Sequence, residues 1–160
     1  MTNIPTLHTQ RCKLIPFTEE DKSWLFQLFN DPDVLYYMEG MKLFSTNIDE
    51  TELFIRNMNR QNNEGNAFLW AIQNESSLIG FVAIYDVLTV PNLFYAVCKE
   101  YRNQGYATEC VYTVTHFFQD QYNTSLTTSV KEDNIASLSV LKKCGFAFCA
   151  KKQLYIKKNL

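Results

Sequence analysis

The sequence predicts an α/β fold in which helices flank a mixed central β-sheet of about seven strands. Strand-like and helix-like apolar periodicities alternate along the chain and give the order β-α-α-β-β-β-α-β-α-β-β. The length of 160 residues suits one domain, and no repeat, low-complexity tract or linker divides it. We therefore expect a single domain over residues 1–160.

The first part of the chain predicts a strand and two helices. Residues 12–17 form the strand, and Thr18 with Asp21 three residues later approximates a capping box that begins the first helix. The Asp31-Pro32 pair ends this helix. A second helix begins between residues 45 and 47. Its apolar face is predicted to contain Leu53, Phe54, Ile55 and Met58.

The middle of the chain predicts three strands. Residues 68–72 and 78–85 are rich in apolar and aromatic residues, and the polar stretch 74–77 between them predicts a β-hairpin. Residues 92–98 predict the third strand. Together these strands form the centre of the expected sheet.

The last third begins with the most strongly amphipathic helix of the sequence. Its apolar residues occur at i, i+3, i+4, i+7, i+10 and i+11, and they are Ala107, Cys110, Val111, Val114, Phe117 and Phe118. A strand over residues 126–130 follows, and then a helix over residues 134–144 that Gly145 ends. Residues 146–150 and 153–157 predict the last two strands.

The composition argues against several classes of protein. The formal net charge of -2 gives no support for a basic face that binds nucleic acid. Five cysteines without a C-x-x-C pair fit neither a disulfide framework nor a zinc site, and we expect most of them to be reduced core residues. The sequence shows no leader-like segment and no apolar run approaching about 18 residues, which predicts a cytoplasmic protein without a membrane span. The basic residues near the end are expected to be solvated at strand edges, and they are Lys151, Lys152, Lys157 and Lys158.

The turn before the amphipathic helix carries the strongest functional signal. Gly105 lies in this turn, and a glycine lets the backbone approach a ligand closely. The N-terminus of the following helix presents unpaired N–H groups and a positive dipole end, which together favour a phosphate. A strand-turn-helix junction also needs a glycine for purely local reasons. Neither G-x-G-x-x-G nor G-x-x-x-x-G-K-[ST] occurs, so dinucleotide and Walker-type sites lack their fingerprints.

Three separated motifs resemble those of the GNAT superfamily of N-acetyltransferases. Arg102-x-x-Gly105-x-Ala107 resembles the R/Q-x-x-G-x-G/A pyrophosphate motif of that family. Asn134-x-x-Ser137, followed by Gly145-Phe146, resembles its second signature. The opening, Thr9 to Phe17 and then Asp31 to Val34, is similar to the branch that acetylates the N-termini of ribosomal proteins. The resemblance extends over residues 7–150, with the motifs in the family's order.

The resemblance implies an enzyme that transfers an acetyl group from acetyl-CoA to a primary amine. In such an enzyme the amine attacks the thioester directly in a ternary complex. The acceptor is a protein N-terminal α-amine or a small-molecule amine, and the protein is a monomer or a homodimer without a nucleic-acid or membrane partner. The alternative is a non-catalytic module of the same fold that binds acyl-CoA.

The resemblance also implies the residues that hold the coenzyme. The pyrophosphate is held at the turn and the start of the helix, by Asn103, Gln104, Gly105, Tyr106, Ala107 and Thr108. The strand through Ala96, Val97 and Cys98 pairs with the pantetheine arm, and an N–H near Ala96 or Val97 is the family's usual oxyanion donor. Asn134 contacts the arm, and Ser137 lies close to the thioester. Arg102 and Lys143 are each either a further phosphate contact or an ordinary surface charge.

The general acid departs from the family's pattern. Many relatives use a tyrosine seven residues after the asparagine, and here that position is Leu141. Either Ser137, or a water beside it, supplies the proton to the departing thiolate, or the protein binds acetyl-CoA with little or no turnover.

The acceptor side is predicted less sharply. Asp86 is the leading candidate for amine recognition or for accepting a proton through water, and the competing interpretation is a turn-forming aspartate. Tyr36 and Tyr37 form part of the acceptor wall or belong to the core. Phe94 stands where the branch often has glycine, so it narrows the acceptor side of the cleft or simply packs. Asp133 is expected to cap the helix that follows it.

Overall fold

The computed structural model of the chain describes residues 3–159. The strands are β1 (Leu7–His8), β2 (Cys12–Pro16), β3 (Phe68–Asn74), β4 (Ser77–Tyr85), β5 (Asn92–Val97), β6 (Leu126–Thr128), β7 (Ala147–Cys149) and β8 (Leu154–Lys157). The α-helices are α1 (Lys22–Phe29), α2 (Pro32–Tyr37), α3 (Ile48–Asn63), α4 (Tyr106–Tyr122) and α5 (Ile135–Lys143). Short 3₁₀ turns occupy Glu19–Asp21, Glu39–Phe44 and Lys99–Tyr101.

The eight strands form one mixed sheet in the order β1-β2-β3-β4-β5-β6-β8-β7. The predicted α/β class with a mixed sheet is confirmed. The count exceeds the expected number because the short β1 pairs with β2, with Leu7 opposite Leu14. The predicted hairpin is also confirmed, since β3 and β4 are antiparallel neighbours joined through a turn in which Glu75 has φ 56°.

Strands β5 and β6 form the parallel junction of the sheet. Every other adjacent pair is antiparallel, whereas these two run parallel and are in register only at Asn92 and Thr127. The Thr127 amide donates to the Pro91 carbonyl at 2.9 Å, and the Thr128 hydroxyl donates to the Leu93 carbonyl at 2.8 Å. Both bonds lie at the start of β5, so the later residues of β5 lack β6 as a ladder partner. A gap therefore opens in the middle of the sheet.

The sheet separates two apolar cores. Helices α4 and α5 cover one face, where Val114, Phe118 and Leu141 pack against strand residues such as Trp70. Helices α1 and α3 cover the other face, and their core includes Leu25, Phe29, Ile55, Leu69 and Phe81. Each fully buried side chain of this kind contributes about 1.5–3 kcal/mol of transfer free energy.

Helix α2 lies between α1 and α3 and was not predicted from the sequence. Asp31-Pro32 ends α1 as predicted, but the same pair also begins α2. The Asp31 carboxylate accepts from the Asp33 amide at 2.9 Å, and Pro32 takes the first helical position, where a missing N–H costs nothing. Helix α3 is confirmed, with Asn47 as its N-cap, but Leu53 is 39% exposed and does not belong to the core.

Lys157 was expected to be solvated at a strand edge, and this expectation is wrong. The residue is only 9% exposed, and its ammonium group donates to the Thr115 hydroxyl at 3.1 Å. The reason is the strand order, which places β8 between β6 and β7 and leaves β7 as the edge. Burial lowers the pKa of Lys157. Lys151, Lys152 and Lys158 are exposed as predicted.

The five cysteines are all free thiols, and three of them are buried, which confirms the main expectation for this residue type. Within residues 3–159, no group of three or more histidine, cysteine or acidic side chains is arranged to hold a metal ion. Over the same residues, no helix has the length and apolar character needed to cross a membrane.

Candidate active site

A cleft of about 710 Å³ opens where β5 and β6 separate. Its walls come from the second half of β5, the first turn of α4, the segment from β6 into α5, and helix α2. The volume lies within the range of about 300–1,000 Å³ that is common for small-molecule sites. The parallel junction of the sheet therefore creates a concave site of a size that suits a small molecule.

Gly105 and the first turn of α4 form one end of the cleft. Gly105 has φ 85°, a conformation that a glycine adopts at little cost, and no side chain caps the helix that it precedes. The first N–H groups of any helix lack an intrahelical partner, and here Tyr106, Ala107 and Thr108 line the cleft. Uncapped N–H groups at the positive end of a 17-residue helix dipole form a site for an anion.

Arg11 lies against this turn, a position that no local motif predicts. Its guanidinium carbon is 4.0 Å from the centre of the Tyr106 ring, and its Nε donates to the Glu109 carboxylate at 2.9 Å. Burial acts to raise the pKa of Glu109, but hydrogen bonds from Thr9 and Arg11 outweigh it and hold the pKa below its usual value. Arg11 thus joins β2 to the start of α4 and fixes the turn around Gly105.

Arg102 is a brace between β5 and α2. Its Nε donates to the Val97 carbonyl at 2.8 Å, one Nη donates to the Asp33 carboxylate at 2.8 Å, and the other lies 3.3 Å from the Asp31 carboxylate. The side chain is only 26% exposed, so it is not an ordinary surface charge. All three guanidinium nitrogen atoms of Arg102 already have partners in the protein. A direct contact between Arg102 and a phosphate therefore stays a prediction.

Replacing Arg102 by lysine should destabilise the chain by about 1.5–3 kcal/mol, because one ammonium group cannot reach the Val97 carbonyl and both carboxylates at once. Urea unfolding measures this change. Arg60→Lys is the matched control, since the pair that Arg60 forms with Glu64 at 3.2 Å is exposed. Equal urea midpoints for the two variants would show that Arg102 does not hold β5 and α2 together.

Ser137 and Tyr95 meet across the cleft. Asn134 caps α5 by accepting from the Ser137 amide at 3.2 Å, which fixes the first turn of the helix. The Ser137 hydroxyl oxygen lies 2.7 Å from the Tyr95 hydroxyl on β5. Burial raises the pKa of Tyr95. The sequence offered only a weak signal for Tyr95, a polar hydroxyl within the apolar stretch of residues 93–97.

Helix α2 is tied to the loop that precedes α5. The Tyr36 hydroxyl donates to the Asp133 carboxylate at 2.6 Å, and the Tyr37 hydroxyl donates to the Asp133 carbonyl at 3.4 Å. Lys131 adds an ion pair with Glu39 at 2.9 Å. Asp133 was expected to cap α5, and this is wrong, because Asn134 performs the capping and Asp133 holds Tyr36. Of the residues in these ties, Tyr37 and Asp133 line the cleft.

Comparison with known proteins identifies the family. A family model described as an acetyltransferase (GNAT) domain matches residues 11–147, which is most of the chain. The chain belongs to the GNAT acetyltransferase family. A search of curated protein sequences found no match.

Solved GNAT structures share the fold at low sequence identity. RimL, a ribosomal L7/L12 α-N-protein acetyltransferase solved with coenzyme A, is 14% identical with a TM-score of 0.84 over 96% of this chain and 98% of RimL. The ribosomal-protein-S5-alanine acetyltransferase of Vibrio fischeri is 13% identical with a TM-score of 0.78 over 97% of each chain. The microcin C7 self-immunity acetyltransferase MccE, solved with acetyl-CoA and AMP, is 16% identical with a TM-score of 0.73 over 93% of each chain. At these identities the three structures show that the chain shares their fold.

Most residues predicted to contact the coenzyme line the cleft of this GNAT domain. They are Ala96, Val97, Arg102, Asn103, Gly105, Tyr106, Ala107, Thr108, Asn134, Ser137 and Lys143. Cys98 and Gln104 do not line it. The Cys98 amide donates to the Ile79 carbonyl at 2.7 Å, and the Gln104 side chain donates to the Glu100 carbonyl at 2.8 Å. Both groups stabilise the path of the chain around the turn.

Asp86 does not line the cleft, so its catalytic and substrate-binding roles stay predictions without support from this geometry. It is exposed at φ 55° in the turn after β4, and its carbonyl accepts from the Thr89 amide at 3.0 Å. Strand β4 is antiparallel to β5, so its end lies beside Asn92 and away from Val97. The turn-forming interpretation fits this geometry.

Only some of the aromatic residues predicted for the acceptor side line the cleft. Tyr37 lines the cleft, whereas Tyr36 lies outside the lining and holds Asp133. Phe94 lines the cleft and packs edge-on against Phe81 at 5.6 Å, whereas a narrowing of the acceptor side by Phe94 stays a prediction. Leu141 is fully buried, so the family's usual tyrosine is replaced by a core residue.

Proposed function

We propose that this GNAT protein transfers an acetyl group from acetyl-CoA to a primary amine, either a protein N-terminal α-amine or a small-molecule amine. The observation that carries the proposal is the cleft at the β5–β6 junction, with the uncapped N-terminus of α4 at one end and the Ser137 hydroxyl inside it. We place the reaction in the cytoplasm, where half-buried thiols such as Cys98 stay reduced.

The residues of the cleft suit coenzyme A. The backbone N–H groups after Gly105 suit the pyrophosphate, and Lys143 adds a cation to the lining. Ala96 and Val97, later residues of β5, line the cleft beyond the point where β6 pairs with the strand. Two of the similar structures hold coenzyme A or acetyl-CoA, which supports the same ligand here. When bound, acetyl-CoA supplies the activated acetyl thioester.

The charged groups of the cleft favour an amine of low pKa. Among the described residues that line it, there is no histidine or glutamate, and the two aspartates are engaged, Asp33 with Arg102 and Asp133 with Tyr36. An α-amine has a pKa of about 7.7–8.0 and is partly neutral without a base, whereas a lysine amine at about 10.4 is not. We therefore propose an acceptor that needs little help in losing its proton.

A thiol-release assay over a panel of amines tests the proposal. The panel contains peptides with a free α-amine, the same peptides N-blocked but carrying a lysine, and small amines. We expect release of coenzyme A with at least one free α-amine or small amine of similar pKa, and faster turnover as pH rises through about 7.7–8.0. Release only with the lysine peptides would contradict the preference for a low pKa.

Ser137→Ala should lower kcat by about tenfold to a hundredfold, because the hydroxyl can no longer donate to the departing sulfur. The effect is modest because a thiol of pKa about 8.5 is already a tolerable leaving group. KM for acetyl-CoA should stay nearly constant. Ser23→Ala, on the exposed side of α1, is the control that should leave kcat unchanged. An unchanged kcat in Ser137→Ala would show that Ser137 does not donate the proton to the departing sulfur.

The burial of Leu141 favours one alternative, a GNAT module that binds acyl-CoA without turnover. Both functions predict that acetyl-CoA raises the melting temperature. Only the enzyme predicts thiol release that depends on the acceptor amine. Stabilisation by acetyl-CoA without release across the whole panel would support the binding module.

A further inference from the structure

The Tyr95–Ser137 contact joins the two sides of the cleft, and Ser137 stands four positions before Leu141 on α5. The two hydroxyl oxygens are 2.7 Å apart, although 42 positions separate the residues in the sequence. The Tyr95 hydroxyl also lies 3.5 Å from the Ser137 carbonyl, a much weaker contact. Both side chains line the cleft, and the backbone of Ser137 is fixed by Asn134.

We propose that Tyr95 is a positioning residue for acetyl transfer, which donates its hydroxyl proton to Ser137 Oγ and so leaves the Ser137 proton free to point into the cleft. The inference rests on the proposed function and adds a residue to it. Tyr95 is not itself the acid. It acts through Ser137, which donates the proton to the sulfur.

The chemistry of the two hydroxyls supports this direction for the hydrogen bond. Each hydroxyl carries one proton and can accept others. Burial raises the pKa of Tyr95, so the phenol keeps its proton and is a poor acid for a thiolate. A buried phenol proton needs an acceptor, and Ser137 Oγ is the nearest one. Because one lone pair of Ser137 Oγ accepts the phenol proton, the proton of the Ser137 hydroxyl must point away from Tyr95.

The transfer step balances with Ser137 as the donor. The amine nitrogen forms a bond to the thioester carbonyl carbon, and the C–S bond breaks with its electron pair on sulfur. Sulfur takes the proton of Ser137, and Ser137 Oγ takes up a proton that the amine nitrogen has released to water. Tyr95 keeps its own proton throughout, and the products are the acetylated amine and the free thiol.

A double-mutant cycle tests the inference with Tyr95→Phe, Ser137→Ala and the double variant. In the wild-type background, Tyr95→Phe should lower kcat by about tenfold, the loss of one well-aligned hydrogen bond, with KM for acetyl-CoA nearly unchanged. In the Ser137→Ala background the same change should have almost no effect on kcat. An equal loss of kcat in both backgrounds would overturn the inference, because Tyr95 would then act independently of Ser137.

The urea midpoint gives a second readout that does not depend on turnover. Both single variants should unfold at lower urea, and the double variant should not unfold at much lower urea than the less stable single variant. If the decreases in urea midpoint of the two single variants add up in the double variant, the hydroxyls do not interact and the inference is overturned. Tyr155→Phe, which removes a hydroxyl from β8 beside Phe148, is the control expected to show no coupling with Ser137→Ala.

The failure of this inference can be told apart from the failure of the proposed function. If the wild type transfers acetyl groups and the cycle is additive, only the role of Tyr95 is wrong. If the wild type releases no thiol with any amine, the proposed function and the inference are both wrong.

Discussion

Replacing Gly105 by valine should abolish acetyl-CoA binding while the chain still folds. Gly105 has φ 85°, and an added Cβ would lie 3.2 Å from an Nη atom of Arg11. A β-branched residue cannot hold this conformation without a cost of about 1–2 kcal/mol, and the turn that positions the α4 N–H groups must shift. In thermal or urea unfolding, acetyl-CoA at 100 times its Kd stabilises a binding protein by about 2.7 kcal/mol, and the variant should lose this gain.

Gly65→Val is the matched control for this experiment. Gly65 has a similar φ of 77°, but an added Cβ there meets nothing within 4 Å. Its position after α3 lies outside the cleft lining. Both variants should therefore be less stable than the wild type, and only Gly65→Val should still be stabilised by acetyl-CoA. Normal acetyl-CoA binding by Gly105→Val would show that the coenzyme site has been placed wrongly.

Replacing Gly80 by alanine should destabilise the fold by about 3 kcal/mol or more, a large effect for one methyl group. The new Cβ would lie 2.4 Å from the Ala96 carbonyl oxygen and 3.1 Å from the Val97 Cα. Both are backbone atoms of β5, so no rotamer change relieves the contact. Strand β5 must move, and this strand forms the wall of the cleft.

Gly40→Ala is the control for the Gly80 variant. Gly40 has no heavy atom within 4 Å of an added Cβ, and its φ is not in the positive region. Urea unfolding should give a midpoint close to the wild type for Gly40→Ala and a much lower one for Gly80→Ala. Similar midpoints for both variants would mean that β4 and β5 are not packed as closely as the structure shows.

The elements with long, regular periodicity were predictable from the sequence. The apolar spacing of α4 and the β3–β4 hairpin both depend on local patterns, and both are confirmed. Helix α2 was missed because it has only six residues and because Asp31-Pro32 ends one helix and begins the next. Lys157 was misplaced because the edge of a sheet depends on strand order, which no local pattern encodes.

The candidate site was only partly predictable, for a related reason. Gly105, Asn134 and Ser137 belong to local motifs, and the structure brings them to one cleft. Arg11 and Tyr95 have partners 98 and 42 positions away, Glu109 and Ser137, so their roles depend on the tertiary fold. Asp86 had the right chemistry, but the antiparallel direction of β4 places it at the wrong end of β5.

The most direct test of the central claim is mass spectrometry of a peptide that carries one free α-amine, after incubation with acetyl-CoA and the protein. We predict that the peptide gains one acetyl group on its α-nitrogen, that an equal amount of coenzyme A appears, and that Gly105→Val gives neither product. If every peptide and small amine stays unmodified while acetyl-CoA still binds, the protein is not an acetyltransferase and the cleft is only a binding site.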